Sequence, residues 1–103
     1  MIVVYRPEAV SDLRRIARWY RKHRPEGEAR FFERFRAAMR RIEQFPEAPP
    51  RTSIDGAVVH KARVLRTAYS IAFTSQGGTV SILAVIHGSR SPAYWRRRMR
   101  LRP

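Results

Sequence analysis

The chain has 103 residues and 44% hydrophobic content, enough apolar material for one modest core and too little for two, so residues 1–103 are expected to form a single domain. It has no cysteine, which excludes a disulfide framework and a thiolate metal site, and no run approaches the roughly 20 apolar residues of a membrane span. A cytoplasmic protein with no membrane role is expected, and its formal net charge of +14, with a pI near 11.7, calls for an acidic or polyanionic partner.

Along the chain, Ile2 to Tyr5 is a β-prone run too short for a signal-peptide core, and Pro7 ends it where a helix can begin. From Glu8 the residues Ala9, Leu13, Ile16, Ala17 and Tyr20 recur at helical spacing. Glu8 and Asp12 near the start and Arg18, Arg21 and Lys22 near the end suit the helix dipole. A turn over His23 to Gly27 leads to a second stripe of Phe31, Phe32, Phe35, Ala38, Met39, Ile42 and Phe45, giving an antiparallel helical hairpin. Pro46, Pro49 and Pro50 stop the helix, and a polar stretch runs to the turn signal Asp55-Gly56.

Beyond Gly56 the hydrophobic period changes from 3.6 to 2, and three strands are expected at about Val58 to Leu65, Thr67 to Thr74 and Thr79 to His87. Lys61 and Arg63 share a face of the first. The second sets Tyr69, Ile71 and Phe73 opposite Ala68, Ser70 and Ala72. Gln76-Gly77-Gly78 is a hairpin turn. The last strand is expected to be central because both faces are apolar, with Val80, Ile82 and Ile86 on one and Leu83, Val85 and His87 on the other. Ser91-Pro92 can start a short helix carrying Trp95 and Met99. The expected fold is therefore α+β in the order β-α-α-β-β-β-α. The hairpin packs on one face of a mainly antiparallel four-stranded sheet and leaves the other face open as a groove.

Charge is distributed unevenly over this scheme. All eight acidic residues precede Gly56, whereas Lys61, Arg63, Arg66, Arg90, Arg96, Arg97, Arg98, Arg100 and Arg102 follow it with no acid among them. Only Lys22 and Lys61 are lysines, so almost every cation is a planar guanidinium able to grip carboxylate or phosphate in bidentate fashion.

The densest group of functional side chains is His87-Gly88-Ser89-Arg90-Ser91-Pro92-Ala93-Tyr94-Trp95 followed by Arg98. Its spacing H-x-x-R-x-P-x-x-W-x-x-R joins Ala9-Val10-Ser11-Asp12-Leu13 and Ile16, Phe45-Pro46, and a strand centred on Tyr69 and Ile71. Over nearly the whole chain this resembles the RelE/ParE superfamily of bacterial type II toxins, and the tail resembles the ParE-like branch more than the RelE-like one. The resemblance implies a growth-arresting toxin neutralised by a cognate antitoxin. In the ParE-like sense it acts by binding DNA gyrase. The RelE-like alternative is a ribosome-dependent, metal-independent mRNA endoribonuclease, and a third reading is nucleic-acid binding driven by charge alone.

For ribonuclease chemistry a base, an acid and fixed cations on the phosphorane are needed. Lys61, Arg63 and Arg90 can supply the cations, His87 a side chain suited to proton transfer near neutral pH, and Tyr94 a second proton donor. No cofactor is expected, and metal-dependent cleavage is disfavoured because the sheet-forming half has no Asp or Glu. For partner binding the candidates are Arg63, Arg66, Arg90, Trp95 and Arg98, with an acidic antitoxin segment folding over the open face onto Arg63, Arg90 and Arg98 in a toxin–antitoxin hetero-oligomer. Structural roles stand beside these. A histidine at a strand end can simply order a loop, Tyr94 and Trp95 can anchor a short helix, and Arg96-Arg97-Arg98 can be a solvated face. Lys61 and Arg63 on one strand face need water or an acidic partner. His23 and His60 receive no role.

Overall fold

The computed structural model describes residues 1–100. Its elements are β1 (Ile2–Tyr5), α1 (Pro7–His23), a 3-10 turn (Pro25–Gly27), α2 (Glu28–Gln44), β2 (Arg51–Ile54), β3 (Ala57–Arg63), β4 (Tyr69–Gln76), β5 (Thr79–His87) and α3 (Pro92–Met99). The strands form one sheet in the order β1-β5-β4-β3-β2, with β1 parallel to β5 and the remaining pairings antiparallel. The expected α+β class, the helical hairpin and the short C-terminal helix are present.

The sheet has five strands among the described residues, not four. The polar stretch after the prolines is itself a strand, β2, pairing with Ala57–His60 of β3. Asp55 and Gly56 form a two-residue loop between Ile54 and Ala57 with φ of 51° and 82°, as a type I′ hairpin requires. With one apolar residue in Arg-Thr-Ser-Ile and a solvated sheet edge to occupy, β2 lacks the alternation that marked the other strands.

A bulge revises the facing of β5. Ala72 pairs with Ala84 but Phe73 pairs with Ile82, so Leu83 has no partner and the alternation reverses there. Val80, Ile82 and Val85 consequently join the core beneath α1 and α2, while Leu83, Ala84 and Ile86 face the opposite side. The expectation that Ile86 shares a face with Val80 and Ile82 is thus corrected. β5 is interior, between β1 and β4, and both its faces are buried.

On the first face, Ala9, Ile16, Phe31, Phe35, Ala38, Met39 and Ile42 of the two helices cover Val64, Ile71, Phe73, Val80, Ile82 and Val85. Each fully buried large side chain contributes about 1.5–3 kcal/mol relative to exposure. Phe31 meets Tyr20, Phe32 and Tyr69 with ring centroids 5.1–5.6 Å apart. Phe45 follows the last turn of α2 and is 65% exposed, so it does not extend the core stripe.

The second face is not open. α3 crosses it, packing Met99, Trp95 and Tyr94 with Ile54, Val59, Ala72, Leu83, Ala84 and Ile86. The small residues Ala72 and Ala84 on this face are what allow a helix so close, and Ser91 caps α3 by accepting from the Tyr94 amide at 3.1 Å.

Candidate functional site

Strand register gathers the cationic residues at one end of the sheet. Arg63 lies opposite Ser70, which lies opposite Ile86, and Tyr69 lies opposite His87, so the end of β3, the start of β4, the end of β5 and the approach to α3 meet there. Arg66 sits in the β3–β4 turn with φ of 63°, its carbonyl accepting from Arg34 at 3.2 Å. Arg63, Arg66 and Arg90 are all exposed, and none makes an ion pair among the described residues.

The five residues considered for ribonuclease chemistry do not line one space. His87, Arg90 and Tyr94 line a recess of about 210 Å³ with Arg15, Trp19 and Tyr69, and a wider cleft of about 540 Å³ with Ser89, Ser91 and Arg97. Neither includes Lys61 or Arg63. The Lys61 ammonium lies 4.1 Å from the Trp95 ring centroid, a cation–π contact on the other flank of α3. Arg63 donates to the Thr67 carbonyl at 3.3 Å and lines, with Lys61, a groove against α2. His87 Nδ1 accepts from the Ser89 amide at 3.0 Å, which leaves Nε2 as the ring nitrogen available to the cleft. Its strand-end imidazole therefore also orders the turn that follows.

Trp95 and Arg98 serve α3 itself. Trp95 packs on the sheet, and Arg98 reaches around the β5 edge to Asp12, with Nη2–Oδ2 at 2.7 Å and Nη1–Oδ1 at 3.1 Å. Its Nη1 also donates to the Tyr94 hydroxyl at 3.1 Å. The hydrogen bond to Asp12 raises the Arg98 guanidinium above its ordinary pKa, against the opposing effect of burial.

Asp12 is the residue that composition and dipole arguments undervalued. It is 1% exposed, and it also accepts from the Val85 amide at 2.9 Å and from Arg15 at 2.8 Å. β1 pairs with β5 only as far as Ile82, so the β5 edge beyond it needs another acceptor, which α1 supplies through this carboxylate. Its signal was positional, for Asp12 falls three residues after Ala9 and four before Ile16, inside the apolar stripe of α1. His60 is likewise buried. It stacks on Phe73 at 5.1 Å, with Nδ1 3.0 Å from the Pro49 carbonyl and Nε2 3.2 Å from Glu47, and so ties down the loop after α2. His23 packs against Trp19 with ring centroids 5.0 Å apart and planes tilted by 40°.

That loop walls an apolar groove of about 570 Å³. Ile42, Phe45, Pro49, Ala62 and Leu65 line it, and Arg41, Lys61 and Arg63 complete the lining. β2 accompanies β3 only to His60, with the Lys61 amide donating to the Pro50 carbonyl at 2.9 Å, so the strand edge beyond is uncovered by β2. No helix among the described residues is long and apolar enough to cross a membrane.

Comparison with known proteins matches this arrangement to one family. No protein of curated function matches the chain. Among solved structures, one described as the chromosomal ParDE TA system from P. aeruginosa superposes with a TM-score of 0.71 at 20% identity, covering 84% of this chain and 95% of that one, which shows a shared fold. The family model for the ParE toxin of the type II toxin–antitoxin system, parDE, matches residues 3–92, taking in β1 through the start of α3. The chain therefore belongs to the ParE toxin family of type II toxin–antitoxin systems.

Proposed function

We propose that this toxin arrests growth in the cytoplasm by binding DNA gyrase, with no bond made or broken by its own side chains. The observation that carries this reading is the dispersal of the ribonuclease set. Lys61 is held over Trp95 on one flank of α3, while His87 and Tyr94 lie on the other, with His87 Nδ1 already accepting a hydrogen bond from the Ser89 amide. General acid–base cleavage requires its acid, base and cations around one phosphorus. A surface presenting Arg63, Arg66 and Arg90 without internal counter-charges suits recognition instead.

The neutralising partner is an antitoxin with an acidic segment. We place that segment along the groove between α2 and the uncovered β3 edge, since the groove offers apolar anchorage and a margin of Arg41 and Arg63. Arg90 lies outside that groove, in the cleft beside Tyr94. Arg98, expected as a direct antitoxin contact, contributes by fixing α3 through Asp12. Size-exclusion chromatography of toxin with gyrase subunits tests the first part. Co-elution that an acidic antitoxin peptide abolishes supports it, and independent elution at saturating concentrations refutes it. Loss of antitoxin affinity in Phe45→Ala and Arg63→Ala supports the groove, and full affinity in both rejects it.

A further inference from the structure

The recess and cleft around His87 lie apart from the antitoxin groove, and their chemistry differs. Tyr94 stands at the centre. Three guanidiniums surround its ring, with Arg90 at 4.6 Å, Arg97 at 5.7 Å and Arg98 at 5.9 Å from the centroid to the guanidinium carbon. Asp12 compensates Arg98 and Arg15, whereas Arg90 and Arg97 make no ion pair among the described residues. No carboxylate lines either space. The recess is walled by Trp19, 48% exposed, and by the half-buried Tyr69, and His87, whose Nδ1 accepts from the Ser89 amide, leaves Nε2 as a further hydrogen-bonding group.

We infer that this cleft binds a single-stranded nucleic acid, a phosphate lying between Arg90 and Arg97 and a base stacking on the Arg90–Tyr94 pair or on Trp19. Two uncompensated forks supply bidentate phosphate contacts, and aromatic faces alternating with guanidinium planes are what unstacked bases require. An acidic peptide would use the arginines and leave the exposed Trp19 face without a role. The volume of about 540 Å³ lies within the range of small-ligand sites and admits a nucleotide unit without moving α3. This inference does not depend on gyrase, and its test contains none.

Purified toxin is titrated into a short fluorescein-labelled oligothymidylate while anisotropy and tryptophan emission are followed at several salt concentrations. Binding is expected with quenching that Trp19→Phe removes. Arg90→Ala and Arg97→Ala should each weaken affinity roughly tenfold and lower the salt slope by about 0.7, the release expected for one single-strand phosphate contact. Arg36→Ala and Arg40→Ala, which remove the same charge from exposed positions on α2, should leave both nearly unchanged. Equal losses in the α2 variants would reduce the effect to diffuse charge and overturn the site. Displacement of the oligonucleotide by poly-glutamate at equal charge would also overturn it, in favour of an acidic peptide. Circular dichroism of each variant confirms folding, and the wild-type quenching reports the site whatever a variant's behaviour.

Discussion

Replacing Asp12 by alanine removes the acceptor that joins α1, the β5 edge and α3, and the cost can be worked from its partners. Arg15 is 54% exposed in its side chain, so its contact is worth at most about 1 kcal/mol. Arg98 is 18% exposed and would keep only the Tyr94 hydroxyl, and breaking a buried pair from one side costs about 3–5 kcal/mol, nearer the lower figure for a residual exposure of this size. The buried Val85 amide loses its acceptor, at about 1–3 kcal/mol. These effects share one carboxylate, and together they give about 4 kcal/mol, a large part of the 5–15 kcal/mol typical of a domain. Asp12→Asn keeps one acceptor oxygen but turns an amide N–H₂ towards a guanidinium, so a loss of about 2–3 kcal/mol is expected. A double-mutant cycle of Asp12→Ala with Arg98→Leu should give a coupling of about 1.5–3 kcal/mol. Urea unfolding followed by far-ultraviolet circular dichroism supplies the values. A loss under about 1 kcal/mol in Asp12→Ala, or a coupling under about 0.5 kcal/mol, would refute this account of the carboxylate.

Other consequences concern packing, strain and pH. Ala72→Leu places a larger side chain where α3 meets the sheet, so a destabilisation of about 1–3 kcal/mol is expected with loss of the near-ultraviolet dichroism of Trp95. An unchanged Trp95 signal would contradict the close seating of α3. Arg66 holds a positive φ that glycine adopts freely, so Arg66→Gly should raise the urea midpoint by about 1 kcal/mol equivalent, and a fall would count against strain in this turn. Burial pushes the Tyr69 phenol above its ordinary value, with Tyr20 adding to the shift and Arg15 and Arg90 opposing it. Its folded pKa is raised, so its contribution is complete below the ordinary tyrosine value of about 10 and is lost as pH rises through the higher folded value. Tyr69→Phe should therefore lose less stability than the parent between neutral and strongly alkaline pH, and equal losses would reject the assignment.

How much of this was legible in the sequence depends on how local the determinant is. Pro7, the stripes of α1 and α2 apart from Phe45, and the Asp55-Gly56 and Gly77-Gly78 turns act over a few residues, and each occurs as expected. β2 carries no pattern of its own because an exposed edge strand depends on its neighbour β3. The bulge at Leu83 is invisible to a period-2 reading, since only the register against β4 shows that one residue is left over. The tail motif was legible as a spacing but not as a division of labour. Pro92 and Trp95 begin and seat α3, Arg98 fixes it to Asp12, and Arg90 stays exposed with no ion pair among the described residues. The sequence offered Asp12 as a charge suited to the α1 dipole and as one residue of the resemblance, and only the short reach of β1 explains its buried contacts.

The central claim, arrest through gyrase without catalysis, is tested most directly by supercoiling of relaxed plasmid with purified gyrase and purified toxin. Inhibition near equimolar toxin is expected, with equal inhibition by His87→Gln and intact transcripts in cells expressing either protein. Full gyrase activity at large toxin excess, together with transcripts cut in cells expressing the parent and left whole in those expressing His87→Gln, would contradict it.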